Sequence, residues 1–372
     1  MPSLKRLLFI FGTRPEIVKL APVIHHARNV PSLLVSIMHT GQHKEMADEM
    51  LRIFNITPDF NLAVMQHNQN LFSVSGKILE GLSRVLSREK FDLIICQGDT
   101  TSVFLGALAG YYTKTPVAHV EAGLRTKDKF SPYPEEINRR LTSTLADLHF
   151  TPTECAKNNL LREGVSESNI FVTGNTVIDA LLWALNLPYR PSTEIRKLFS
   201  PQQPLILVTT HRRESFGEPH RRIFRALKKI VERHENVNML FPVHPNPNVR
   251  AETGELLGNH PRIHLCSPLG YLDFIHAMKN SFLILSDSGG VQEEAPTLKK
   301  PVLVLREQTE RPEGLESGSL LLVGTDEDKI LFETERLLSD QNAYNEMIKN
   351  PNPFGDGQSA KRIVDRITSY LT

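Results

Sequence analysis

Phe282-Leu283-Ile284-Leu285-Ser286-Asp287-Ser288-Gly289-Gly290-Val291-Gln292-Glu293-Glu294 is the stretch whose reading decides the fold. Four apolar residues in a row predict a short strand covered on both faces, since a half-exposed strand would alternate. The run ends in a Ser-Asp-Ser-Gly-Gly turn and passes directly into a helical pattern. Ser288, Gly289 and Gly290 would then present bare N–H groups at a helix N-terminus, a cradle for phosphate. A carboxylate one turn later suits the two hydroxyls of a ribose. Phosphate plus ribose means a nucleotide; the alternative is a purely structural turn.

Outward from this stretch the same unit recurs. Short apolar runs lie at Leu7–Phe11, Leu34–Met38, Leu93–Cys96, Val117–Val120 and Leu148–Phe150. A second set lies at Leu205–Val208, Met239–Val243, Ile263–Leu265, Phe282–Leu285, Val302–Leu305 and Leu320–Val323. Between them run helical patterns such as Glu16–Arg28, Leu71–Leu86, Arg222–Arg233 and Asp328–Leu338. This alternation predicts an α/β fold with doubly wound parallel sheets. It breaks once, after a helical pattern over Asn175–Leu187, at Pro188, Pro191, Pro201 and Pro204. The expected organisation is therefore two Rossmann-like domains, 1–185 and 204–355, joined by a linker over 186–203. A helical tail follows over 356–372, and the sequence leaves open whether it packs back on the first domain.

Ligands of open parallel sheets bind beyond the carboxyl ends of the strands, so the residues there are the candidates. The first strand is followed by Gly12-Thr13-Arg14-Pro15-Glu16. Arg14 is a cation at a helix start and suits phosphate, while Lys19 lies one turn on. There is no G-x-G-x-x-G. Asp99 follows the third run and precedes hydroxyl residues, so it reads as an N-cap or as a functional carboxylate. Glu121 follows Val117–Val120 with no helix starting at once. Glu135 leads a helix and would favour its dipole in any case. As a set, Asp99, Glu121 and Glu135 would converge and serve as general acid and base near neutral pH. Binding a divalent cation is the alternative, although Arg14 and Lys19 can neutralise phosphate without one. In the second half Leu205–Val208 is followed by His211-Arg212-Arg213-Glu214, and Met239–Val243 by His244 in a proline-stiffened loop. Nucleotide-binding groups in one half and carboxylates in the other predict a nucleotide sugar held between two facing domains.

Composition excludes other classes. Of 372 residues, 40% are hydrophobic and 23% charged, which rules out disorder. With 43 Lys+Arg against 42 Asp+Glu there is no basic excess for nucleic acid or an acidic membrane. The 3 cysteines are far apart, as expected of reduced thiols in a cytoplasmic protein. The N-terminal apolar run is too short for a secretory signal, and no stretch is long enough to span a membrane. Neither H-E-x-x-H nor G-x-S-x-G occurs.

These segments, with His119-Val120-Glu121-Ala122-Gly123-Leu124-Arg125-Thr126, Thr173 to Ala180 and Thr309-Glu310-Arg311-Pro312-Glu313, resemble the non-hydrolysing UDP-N-acetylglucosamine 2-epimerases over nearly the whole chain. The resemblance implies a GT-B-like pair of domains with UDP between them, usually as a homodimer. It implies removal of the proton at sugar carbon 2, anti elimination of UDP to 2-acetamidoglucal, and re-addition with protonation on the other face. No cofactor and no metal are implied. Lys19, Asp99, Glu121, Glu135 and His211 match positions implicated in catalysis. Arg14, Arg139, Phe274, Ser288, Gly289, Gly290 and Glu294 match substrate-binding positions, Phe274 near the uracil and Glu294 at the ribose. Gln42, Arg212 and His244 agree with a second UDP-GlcNAc site that activates some members. Glu45 and Asn68 replace the Gln and Arg of such members, so only weak activation is expected. The competing readings are a glycosyltransferase of the same architecture, an epimerase of a modified UDP-2-acetamido sugar, a hydrolysing relative and a silent UDP-sugar sensor.

Overall fold

The computed structural model describes residues 4–41, 45–65, 69–126, 128–200, 202–212, 215–258 and 260–372, the side chains of 45, 46 and 248 excepted. The chain divides into two compact units, Met1–Trp183 with Gly355–Thr372, and Ala184–Phe354.

Among the described residues the first unit carries a seven-stranded sheet with β1 Lys5–Phe11, β2 Leu33–His39, β3 Phe60–Asn61, β4 Leu93–Gln97, β5 Val117–Val120, β6 Leu148–Thr151 and β7 Ile170–Val172. Every pairing is parallel, and the order is β3-β2-β1-β4-β5-β6-β7. Leu7 to Phe11 are wholly buried because helices cover both faces of β1, as the unbroken apolar run requires. Strands β3 and β7 have no counterpart in the apolar-run pattern. They are two and three residues long, too short to show a periodicity.

The second unit repeats the plan with β8 Leu205–Thr209, β9 Asn238–Pro242, β10 Ile263–Cys266, β11 Leu283–Ser286, β12 Val302–Val304 and β13 Leu320–Leu322. Its order is β10-β9-β8-β11-β12-β13, again parallel throughout. In both sheets the order reverses beside the first strand of the unit, between β1 and β4 and between β8 and β11. That reversal leaves a crevice at the strand ends, where doubly wound sheets hold ligands. A four-residue helix, Thr193–Arg196, forms within the segment 186–203.

The tail forms the helix Ser359–Leu371, which packs on the helix Arg14–Arg28 and buries Ile363, Val364 and Ile367. Its N-terminus is satisfied by Asp179, whose carboxylate accepts the N–H groups of Ser359 at 3.3 Å and Ala360 at 2.9 Å. No helix among the described residues is long and apolar enough to cross a membrane.

Candidate active site

In the first unit the functional candidates sit on the turns after β1, β4 and β5 or in the helices Arg14–Arg28 and Glu135–Leu145 that follow. Gly98, at φ +87°, turns the chain out of β4, and its carbonyl accepts from Nε2 of the buried His119 at 2.7 Å. Desolvation is the main cause that pushes the His119 imidazole down to about 3, so it is neutral and donates from that nitrogen. Asp99 follows. The N-cap of the helix Thr101–Thr113 is Thr100, so Asp99 is not spent on capping. Its Oδ2 accepts from Arg139 Nη2 at 2.6 Å, and its carbonyl from Asn138 Nδ2 at 3.0 Å. Arg139 in turn lies 3.5 Å from the fully buried Glu136, which also pairs with Arg140 at 2.7 Å. Arg139 thus orients Asp99 through an ion pair.

Glu121 is buried at the end of β5 with φ +63°, a left-handed conformation that a non-glycine residue adopts only when its surroundings hold it. Both its carboxylate oxygens accept from Lys19 Nζ at 2.6 Å, and Oε2 also accepts from Gln97 Nε2. The ammonium compensates a charge that burial would otherwise make costly. Gly123, at φ +88°, is needed because a side chain there would run into the Ala156 carbonyl oxygen.

Glu135 is half-buried as the first residue of the helix Glu135–Leu145, and its carboxylate has no hydrogen-bond or ion-pair partner among the described residues. Arg14 is exposed at the start of the helix Arg14–Arg28 and likewise forms no ion pair among the described residues. Neither is tied to Asp99 or Glu121 by any such contact among the described residues.

In the second unit Asp287, wholly buried after β11, organises the turn after β8. Its Oδ2 accepts the N–H groups of His211 and Arg212, each at 2.8 Å, and its Oδ1 lies 3.1 Å from His211 Nδ1. Desolvation raises the Asp287 carboxyl, but the His211 side chain and the two N–H groups outweigh it, so the net displacement is downward. The ring of His211 stacks on the exposed His244 at 5.9 Å, and burial, with His211 as its neighbour, lowers the His244 imidazole.

Ser288, half-buried, is the N-cap of the helix Gly289–Glu294. Its N–H donates to Ser286 Oγ at 3.0 Å, so the open donors of the turn are the first helical N–H groups, those of Gly289 and Gly290. A side chain at Gly289 would place its first carbon 3.4 Å from Arg311 Nη2 and 3.9 Å from Arg212 Nη2. Two guanidinium groups therefore flank the anion cradle. Arg311 is steadied by Glu293 Oε1 at 2.6 Å. Arg311 lies in a segment the sequence singles out, but its charge has no strand-end position to betray it. The buried Glu294 stands one turn after Ser288, and a side chain at Gly290 would lie 3.9 Å from its Oε2. Phe274 is half-buried in the helix Tyr271–Asn280. Gln42, Asn68, Arg213 and Glu214 lie outside the described residues, and so does the side chain of Glu45. No group of three or more His, Cys, Asp or Glu side chains among the described residues is arranged to hold a metal ion.

A family model for UDP-N-acetylglucosamine 2-epimerase matches residues 25–368. A UDP-N-acetylglucosamine 2-epimerase of Escherichia coli (strain K12) is 47% identical over 369 residues, covering 97% of this chain and 98% of its own. The crystal structure of a Neisseria meningitidis UDP-GlcNAc 2-epimerase bound to UDP-GlcNAc superposes with a TM-score of 0.89 at 42% identity, covering 98% of this chain and 100% of that one. A Methanocaldococcus jannaschii UDP-GlcNAc 2-epimerase in complex with UDP-GlcNAc and UDP is similar at a TM-score of 0.77 and 38% identity, covering 99% of each chain.

Proposed function

The chain belongs to the UDP-N-acetylglucosamine 2-epimerase family, and on that premise we propose that it interconverts UDP-N-acetylglucosamine and UDP-N-acetylmannosamine. The chemistry is elimination and re-addition. A carboxylate takes the proton from sugar carbon 2 while the bond from carbon 1 to the UDP oxygen breaks. The products held are 2-acetamidoglucal and UDP. UDP then adds back to carbon 1, and carbon 2 receives a proton on the opposite face. Electrons and atoms balance without an oxidant.

The second unit is assigned the nucleotide. Gly289 and Gly290 N–H groups, the Ser288 hydroxyl and the guanidinium groups of Arg212 and Arg311 suit the diphosphate, whose charge grows as it departs. His211, oriented by Asp287, is assigned to the same departure, Glu294 to the ribose and Phe274 to the uracil. The first unit is assigned the sugar, with Asp99, Glu121 and Glu135 as acid and base groups, Lys19 paired with Glu121, and Arg14 facing phosphate. The observation that carries this reading is the half-buried Lys19 ammonium 2.6 Å from the buried Glu121 carboxylate on a left-handed strand-end turn, the kind of costly arrangement that clusters at functional sites. Homodimeric assembly, a cytoplasmic location and weak binding of a second UDP-GlcNAc near Arg212 and His244 belong to the same proposal and rest on the family resemblance.

Asp99→Asn and Glu121→Gln test it. Each is expected to hold UDP about as well as the parent and to lose turnover by about a hundredfold or more, the usual contribution of an acid–base group. Normal turnover by both variants would sink the assignment.

A further inference from the structure

Glu16 is a buried carboxylate with no role in the reaction described above. Its Oε2 accepts the N–H groups of Gly12 at 2.5 Å and Thr13 at 3.1 Å. Its Oε1 accepts the Thr100 hydroxyl at 2.5 Å. A glutamate at the third position of a helix commonly reaches back to the N-cap N–H. That habit accounts for the Thr13 bond alone. It accounts neither for burial of the whole carboxylate nor for the other two donors.

The three donors come from two turns. Gly12 and Thr13 follow β1, and Thr100 follows β4. These strands are neighbours at the reversal of strand order, where the sheet opens to a ligand. Arg14 comes directly after the first two donors, and Asp99 directly before the third. The turns are also packed without slack: a side chain at Gly12 would strike the hydroxyl oxygens of Ser102 and Thr40, which bond each other at 2.8 Å. Displacements of an ångström between reacting groups are costly to catalysis, so a tie between these two turns has consequences for rate.

We propose that Glu16 is a positioning residue, whose carboxylate ties the turn bearing Arg14 to the turn bearing Asp99 and so fixes the separation of the phosphate-facing cation from the acid–base carboxylate. This rests on the function proposed above. The tie runs through Thr100, so the discriminating variant leaves Glu16 in place. Thr100→Val removes the hydroxyl at nearly constant volume, and Thr100→Ser restores it.

The measurement is steady-state epimerisation of UDP-GlcNAc by the full chain, with thermal melts of each variant. Thr100→Val is expected to lose kcat at least tenfold with KM within threefold of the parent, and Thr100→Ser to recover most of that loss. A helix cap without a positioning role would lower the melting temperature of Glu16→Ala and leave the kcat of folded Thr100→Val unchanged. That result overturns the inference, as does a loss confined to KM or one that serine does not rescue. If Thr100→Val does not fold, Thr100→Ala takes its place and is read by the same criteria, because it removes the same hydroxyl and leaves Glu16 as the acceptor of both N–H groups. A parent protein that epimerises nothing refutes the function itself, whereas an active parent with an equally active Thr100→Val refutes only the positioning role.

Discussion

Glu121 carries its carboxylate on a left-handed backbone, which costs about 1–3 kcal/mol for a residue with a side chain. Lys19 and Gln97 hold the far end of the side chain and make the turn affordable. Removing the lysine takes a cation from a buried carboxylate, so Lys19→Met is expected to lower the unfolding free energy by about 3 kcal/mol in urea titrations. A loss below about 0.5 kcal/mol would show the pair to be solvated. Glu16 offers a pH test of a different kind. Burial, the largest cause, pushes its carboxyl up from 4.5 to about 7; the bonds from Thr100, Gly12 and Thr13 oppose the rise and the Asp99 charge adds to it. The folded state thus binds this proton more tightly than the unfolded chain. Its stabilisation is complete below pH 4.5 and is lost as pH rises through about 7. Glu16→Gln should flatten that part of the stability–pH curve, and an unchanged slope would contradict the cause assigned. The carboxylates Asp99 and Glu121 stand out as candidates in the sequence because Glu121 directly follows an apolar run and only Gln97 and Gly98 separate Asp99 from another. Glu16 and Gln97 do not, because one reads as a helix start and the other as a strand end. Only the fold shows that they bond across turns 84 and 24 residues apart.

At the scale of elements, strands flanked by turn residues declared themselves, and the parallel sheets followed from runs that are apolar on both faces. β3 and β7 did not, since two or three residues at a sheet edge need only pair with a neighbour and give no pattern. The place of the tail was equally silent, because the spacing of Ile363, Ile367 and Leu371 defines an apolar face without naming its partner. The structure supplies that partner in the helix Arg14–Arg28, with Asp179 at the tail's N-terminus. Asp179→Ala is expected to cost about 1–2 kcal/mol, the usual loss of a capping carboxylate. Hydrogen exchange should then quicken first at Ser359 and Ala360. Uniform exchange across the tail would assign its stability to packing alone.

Across the whole molecule one topology is used twice, and in each unit the reversal of strand order is where the proposed function puts its chemistry. The sequence showed this doubling through two sets of apolar runs separated by prolines. It did not show that residues 355–372 belong with the first unit, because the bond from Ser359 to Asp179 joins positions 180 apart. The proposed division of labour predicts a separation of effects. Glu294→Ala should weaken UDP binding about tenfold or more, as loss of a charged hydrogen-bond acceptor does, while Asp99→Asn leaves it intact. The central claim is that carbon 2 loses and regains a proton, and proton NMR of UDP-GlcNAc with the enzyme in deuterated water tests it most directly. Deuterium at sugar carbon 2 as UDP-ManNAc forms is the expected result; UDP-ManNAc that keeps its original hydrogen at carbon 2 through repeated turnover would contradict the elimination account.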